Sequence, residues 1–283
     1  MAAPSRGQLP LLLSVLLIAP LLLLLGWSFF LPIGRLLLTS VTEPAPNLDN
    51  YRRLLVEPLY RQVILRTVWI ALVCAVGALL LGYPIAALMA RPGRVIAKLA
   101  VVCVMVPLWT SALIRSYAWI VLLQRKGVVN TALQGLELTS KPLSMLYTNG
   151  AVLVAMTHVL LPFMILPIYS ALRSIPPDLT RAAMNLGAGK ARTFFEVTLP
   201  LSLPGVFAGC LLVFVMALGF YVTPALVGGP QTLMIATLIA EQATTLLNWP
   251  FAGAISAVLL VLSLGMTIAF KQLLRLDRMV AHE

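Results

Sequence analysis

Charged residues are scarce in this chain: Asp, Glu, Lys and Arg make up 10% of its 283 residues. A soluble domain carries about 25%, so a soluble globule of this length is excluded. The acids number nine and the histidines two, and they form no Ser/His/Asp, Cys/His or paired-carboxylate arrangement. That speaks against hydrolytic or metal chemistry, and no cofactor is expected. The cysteines, Cys74, Cys103 and Cys210, are odd in number and have neither disulfide nor metal spacing. All three fall in apolar stretches and read as packing residues. There is no internal repeat, so a pore built from this chain needs a second subunit.

Apolar residues fill most of the sequence. Runs of roughly 20 apolar residues cross a bilayer as helices, and six occur: Leu9 to Leu31, Val63 to Ala90, Ile96 to Leu123, Ala151 to Leu172, Leu201 to Val227 and Phe251 to Phe270. Barrel strands would need alternating patterns of about ten residues instead. The fold class expected is therefore an all-α, polytopic membrane protein. The first run exceeds the length of a signal-peptide core and lacks an A-x-A site after it, so it is expected to be a retained helix.

The net charge of +11 reads as contact with lipid headgroups and as topology rather than as nucleic-acid binding. Six spans place both termini on one side. That side carries Arg6, Arg91, Arg94, Lys98, Arg173, Arg181, Lys190, Arg192, Lys271, Arg275 and Arg278. The other side, including span ends, carries nine of the 20 basic residues. The compact loop from Arg91 to Lys98 points most clearly to the cytoplasm. The loops on the other side are longer. Residues 124 to 150 suggest a short apolar helix, and 233 to 247, between Gly228-Gly229-Pro230 and Asn248-Trp249-Pro250, reads as a helix on or dipping into the interface.

The informative stretch is polar. Residues 178 to 200 form a helix-forming island between the fourth and fifth runs. Pro176-Pro177 ends the fourth span and Asp178 is a good N-cap. Leu179, Ala182, Ala183 and Leu186 then share one helix face at i, i+3, i+4 and i+7. Gly187-Ala188-Gly189 breaks the helix, Ala191 to Val197 supplies another turn or two, and Pro200 and Pro204 open the fifth span. Such a helix either rests on headgroups or docks on another surface, and the alanines allow close backbone approach. The run Leu186 to Ala191 is no phosphate loop, because Met184 replaces the first glycine and Ala191 the Ser/Thr of G-x-x-x-x-G-K-[ST].

The island resembles the EAA loop of permease subunits in binding-protein-dependent ABC importers, with Ala182, Ala183, Gly187, Leu199 and Pro200 at matching places. Arg181 stands where that family has glutamate. With Asp178 as N-cap it would occupy the N3 position and forfeit a capping box. The segments Asn50-Tyr51, Val106-Pro107-Leu108-Trp109-Thr110, Arg115-Ser116-Tyr117-Ala118-Trp119, Leu161-Pro162-Phe163-Met164, Gly219-Phe220-Tyr221-Val222-Thr223 and Asn248-Trp249-Pro250-Phe251 are similar to the polyamine (spermidine/putrescine) permease branch. The resemblance implies a type I ABC importer (MetI-like) fold of six transmembrane helices in a bacterial inner membrane, with both termini cytoplasmic. Residues 1–283 would be one permease domain, with 173–200 as its coupling loop. It further implies a second homologous permease, two ATP-binding subunits that hydrolyse ATP in trans, and a periplasmic or lipid-anchored substrate-binding protein that holds most of the selectivity.

Residues expected near a pathway are Trp109, Arg115, Tyr117, Trp119, His158, Tyr221, Thr223 and Glu241. Polar groups inside a membrane are functional candidates by default. Arg115 either snorkels to headgroups or takes a pairing or lining role. His158 reads as a packing histidine donating to a carbonyl, or else as a proton relay. Pro162, Pro167 and Pro224 are expected to kink their spans. A polycation favours carboxylates and aromatic faces, and Glu241 is the one plausible acid at membrane level. The readings from other classes are an ATP-independent secondary transporter and a non-transporting scaffold.

Overall fold

A computed structural model describes residues 11–43, 45–91, 93 and 95–280, with side chains from 15 to 272 within those ranges. Leu9, Arg6 and Arg94, and the side chains of Arg275 and Arg278, lie outside the described residues. Every regular element among the described residues is helical. Five helices are long and apolar enough to cross a membrane, and six if one bent pair counts as a single span. The described residues fall into two compact units, those within 1–56 and 239–258 and those within 57–238 and 259–283.

In the first unit, α1 (Leu11–Leu25) runs through a π-helical turn (Gly26–Phe30) into α2 (Leu31–Thr42). The turn has a local cause. Pro32 has no N–H and its ring would strike the carbonyl of Ser28, so the ladder widens to i→i−5 and Leu31 N donates to Gly26 O. Most side chains here face outward, Trp27 at 76% exposure, as lipid-facing residues do. The short α3 (Asp49–Val56) is tied back to α2. Ser40 gives its proton to Leu37 O at 2.6 Å, so Tyr51 donates to Ser40 Oγ at 2.8 Å, and Asn50 Nδ2 donates to Ser40 O at 3.0 Å. The Asn50-Tyr51 pair is therefore a structural clip.

The second unit is built on α4 (Pro58–Met89), α8 (Asn149–Ser174) and α11 (Leu199–Leu218). Ile70, Cys74 and Ala78 of α4 pack against Met156, Leu160 and Met164 of α8, and Val213 and Ala217 of α11 close the same core. Glycine lets α11 approach α8. A Cβ at Gly205 would lie 2.6 Å from Pro167 O, and one at Gly209 would lie 2.8 Å from Met164 Sδ and 3.1 Å from Met164 O. This is a small-x-x-x-small interface of the kind that joins helices in lipid.

The third apolar run contains a sharp bend that its composition does not announce. It consists of α5 (Val95–Trp109) and α6 (Ala112–Leu123), with a bend of 104° between Val95–Trp109 and the segment Ala112–Gly135. Pro107 weakens the end of α5, and Ser111 restarts the chain as the N-cap of α6, its side chain accepting from Leu113 N at 3.2 Å. Next comes α7 (Val128–Gly135), held by Asn130, whose Oδ1 accepts from Leu143 N at 2.8 Å while Nδ2 donates to Leu143 O at 3.0 Å.

Two readings are corrected. Pro200 does not open a span, because the helix begins earlier, at Lys190: α9 (Pro177–Asn185) is followed by α10 (Lys190–Thr193), a π-helical turn (Phe194–Thr198) and α11 without interruption. The turn stands two residues before Pro200, as the turn at Gly26–Phe30 stands before Pro32, and Leu199 N donates to Phe194 O. At the other end α11 stops at Leu218. Pro224 sits in a separate short helix, α12 (Val222–Val227), and kinks no span. Beyond it, the segment read as interfacial is α13 (Ile235–Ala240) with a π-helical turn (Glu241–Thr245). Met234, Ile235 and Leu238 are buried, and Ile235 N donates to Thr67 Oγ1 of α4 at 2.9 Å, so its start is anchored in protein. The last helix, α14 (Trp249–Val280), starts with Asn248 Oδ1 accepting from Phe251 N at 3.2 Å.

Candidate functional site

The helix α9 of the polar island starts two residues before the expected place. Pro176 is its N-cap and Pro177 its first residue, where a fixed φ and a missing N–H are no cost. Asp178 is therefore inside the first turn, and no side chain caps the helix. Arg181 then falls beyond N3, so it forfeits no capping box; its Nη1 pairs with Asp178 Oδ1 at 3.3 Å in solvent. An exposed pair of this kind contributes little to stability.

No residue of α9 is buried. Leu179 is 45% exposed and Leu186 89%. Arg181 and Ala182 are exposed and Ala183 half-buried. Among the described residues these apolar side chains are left largely uncovered. The helix ends in a Schellman motif: Gly187 N donates to Met184 O and Ala188 N to Ala183 O, both at 3.0 Å, with Gly187 at φ +87°. Those two N–H groups are consumed by helix carbonyls, so the lookalike phosphate loop has no cradle to offer. Leu199 is half-buried and Pro200 exposed; Pro200 shapes the π-helical turn that joins this loop to α11.

The pathway residues divide into a cluster, a clip and scattered positions. Trp119 Nε1 donates to His158 Nδ1 at 3.3 Å, with the rings edge-on at 5.7 Å. His158 thus accepts from an indole instead of donating to a carbonyl. Arg115 Nη1 donates to Val159 O at 3.1 Å, beside the carbonyl of His158 that Pro162 leaves without its helical donor. Arg115 is thereby bonded to the neighbouring span, while its buried Nε has no partner. A cavity of about 300 Å³ opens beside His158, lined by Cys103, Pro107, Leu161 and Pro162 among others. Thr223 is fully buried and bonds Ser116 at 2.8 Å, clipping α12 to α6. Trp109 is 89% exposed, and Tyr117 and Tyr221 are exposed as well. Glu241 is exposed and belongs to the first unit. Of the eight residues only Arg115, Trp119 and His158 are brought together.

Ser116, Tyr83, Phe194 and the glycines of α11 were not singled out in the sequence. The spacing Gly205-x-x-x-Gly209 inside an apolar run was the available signal for the last.

The arrangement is a membrane helical bundle with one exposed, capped helix between its fourth and fifth long segments. Residues 82–277 match the family described as "Binding-protein-dependent transport system inner membrane component". The chain belongs to this family. It is 36% identical over 256 residues to the spermidine/putrescine transport system permease protein PotB of Escherichia coli (strain K12), covering 87% of this chain and 92% of that protein. It is 38% identical to PotB of Haemophilus influenzae over 244 residues, 83% of this chain and 85% of that one. Its fold is that of a bacterial ABC transporter involved in import of the acidic polysaccharide alginate, with a TM-score of 0.73 at 20% identity over 93% of this chain and 95% of that one. This chain is a multi-pass inner-membrane permease subunit of an ABC importer and not an enzyme. Family membership gives the secondary-carrier and scaffold readings no support.

Proposed function

We propose that this permease imports polyamines of the spermidine/putrescine class or a closely similar amino-containing solute. The similarity to PotB along most of the chain carries this reading. A sister permease would complete the pathway, two ATP-binding subunits would power it, and a periplasmic or lipid-anchored binding protein would deliver the solute. Residues 1–283 act as one permease domain, with residues 173–200 and both termini in the cytoplasm.

The coupling element is α9 with its C-terminal cap. It offers an ATPase subunit the apolar Leu179 and Leu186, the small Ala182 and Ala183, and the ion-paired Arg181, on a helix and its cap in which none of the described residues is buried. Gly187 sets the angle at which the chain leaves that contact, and Leu199 and Pro200 pass the displacement to α11. Arg115, Trp119 and His158 hold the third and fourth segments together near the pathway; Trp109, Tyr117, Tyr221 and Glu241 remain free for solute or for the sister permease.

The test is purification of the tagged chain in mild detergent, followed by reconstitution of the recovered complex with its binding protein. Stoichiometric recovery of ATPase subunits and a sister permease, with ATP-dependent uptake of radiolabelled spermidine or putrescine, is the expected outcome. Recovery of the complex without polyamine uptake would overturn the substrate class, and a chain that purifies alone would overturn the whole reading.

A further inference from the structure

At the end of the second unit where α4 finishes and α9 begins, side chains from three elements meet. Phe194 opens the π-helical turn, and its ring stands edge-on to Tyr83 of α4, the centroids 5.8 Å apart and the planes at 86°. Phe195 backs the Phe194 ring at 5.1 Å. The Tyr83 hydroxyl lies 2.9 Å from Ser202 Oγ of α11. Ser202, which is fully buried, gives its own proton to Leu199 O at 2.9 Å, so Tyr83 is the donor. One aromatic side chain of α4 thus grips the helix that follows the island at two places, by its ring and by its hydroxyl.

This grip adds to the packing at that end, where Ala86 and Met89 of α4 and Val206 of α11 are buried in the common core. Towards the middle of the unit α4, α8 and α11 share the buried core of Ala78, Met164 and Val213. At this end two cavities of about 570 Å³ and 460 Å³ lie around the Phe194 ring and share Ala87, Arg91 and Phe194 in their walls. The larger is bounded by Tyr83, Pro84 and Leu88, the other by Ile175, Pro177 and Thr180. Both are open clefts, so the Phe194 ring is packed on fewer sides than a core residue. The turn that carries Phe194 has the widened ladder forced by Pro200, a place where a helix bends readily. Only two residues, Ala188 and Gly189, separate the end of the α9 cap from α10.

We infer that Tyr83 and Phe194 are positioning residues of the transport stroke: they carry a displacement of the α9–α10 loop into the end of α4, so that α4 and α11 move as one. This rests on the proposed docking of an ATPase on α9. Without the grip, part of a push on the loop would be taken up by the π-helical turn, and the end of α4 would follow it less closely.

The test uses the whole importer in detergent, with Cys74, Cys103 and Cys210 replaced and a single reporter, Ala87→Cys, in the wall common to both cavities. Its maleimide labelling rate is compared between the nucleotide-free and vanadate-trapped complexes. The parent complex is expected to show a severalfold change in rate. Phe194→Ala is expected to reduce that change at least twofold while ATPase subunits still co-purify, Tyr83→Phe to lose part of it, and Phe194→Tyr to keep it. An unchanged response in Phe194→Ala, or no nucleotide response in the parent, would overturn the inference. If Phe194→Ala fails to assemble, Tyr83→Phe and Ser202→Ala decide: each removes one hydroxyl, and a full response in both overturns it. The docking reading fails on a different readout, namely retention of the ATPase subunits and of transport by Gly187→Asp.

Discussion

Replacing Gly187 separates backbone strain from crowding, because the two make opposite statements at this position. A Cβ built on Gly187 meets nothing within 4 Å, yet its φ is +87°. Steric clash with neighbours therefore contributes nothing to the cost of Gly187→Ala. What remains is the left-handed penalty of an L-residue, about 1–2 kcal/mol. If the Schellman cap sets the exit angle that the ATPase recognises, that penalty counts against docking. It corresponds to about a 5- to 30-fold loss of affinity, at 1.4 kcal/mol per factor of ten. Asparagine tolerates the left-handed region better than alanine, so the expected order of ATPase affinity is the parent, then Gly187→Asn, then Gly187→Ala. The assay is titration of detergent-purified ATPase subunit onto the immobilised permease pair, with thermal stability of the permease measured in parallel. The spans are not touched, so stability of the pair is expected to change little. If Gly187→Ala binds like the parent, or Gly187→Asn binds worse than Gly187→Ala, the cap is not what the ATPase reads and the reasoning is refuted.

Two further outcomes follow from the packing. Gly209→Ala forces a methyl against Met164 Sδ and its carbonyl and is expected to destabilise by about 1–3 kcal/mol, as overpacking does. Gly265→Ala in α14, with nothing within 4 Å, is expected to be neutral or slightly stabilising; thermal unfolding followed by size-exclusion chromatography compares the two. Thr223→Val removes the buried bond to Ser116 and is expected to cost about 0.5–1.5 kcal/mol without altering the apparent KM for solute. A raised KM with unchanged stability would make Thr223 a solute contact after all.

The parts of this fold readable in the sequence were those imposed by the bilayer. A helix that must satisfy its backbone inside lipid needs about 20 apolar residues, so α4, α8 and α11 stand out as runs. The bend between Trp109 and Ala112 was hidden because the apolar run continues through it: lipid solubility constrains side chains and is indifferent to the direction of the axis. Pro200 was misplaced as a helix start because its two defects, the lost N–H and the clash with the carbonyl of Glu196, are absorbed by a π-helical turn that no residue type announces. Asp178 lost the cap to Pro176 for a similar reason, since Pro177 already fits the first helical position. In the island, Gly187 was readable because left-handed backbone demands glycine. The Tyr83–Phe194–Ser202 contact was not, because it joins residues 111 and 119 positions from Tyr83 by tertiary packing alone. Several stretches that resemble the polyamine branch turned out to be clips: Asn50-Tyr51 on Ser40, Ser116 on Thr223, Asn248 on Phe251.

The central claim is that α9 is the surface an ATPase subunit holds. The most direct measurement places a photo-crosslinking amino acid at Leu186, the most exposed residue of the cap, and at Leu138 on the opposite-end loop as control. Irradiation of whole cells is expected to join the ATPase subunit to the Leu186 variant alone. Absence of that product at Leu186, or the same product at Leu138, would contradict the account.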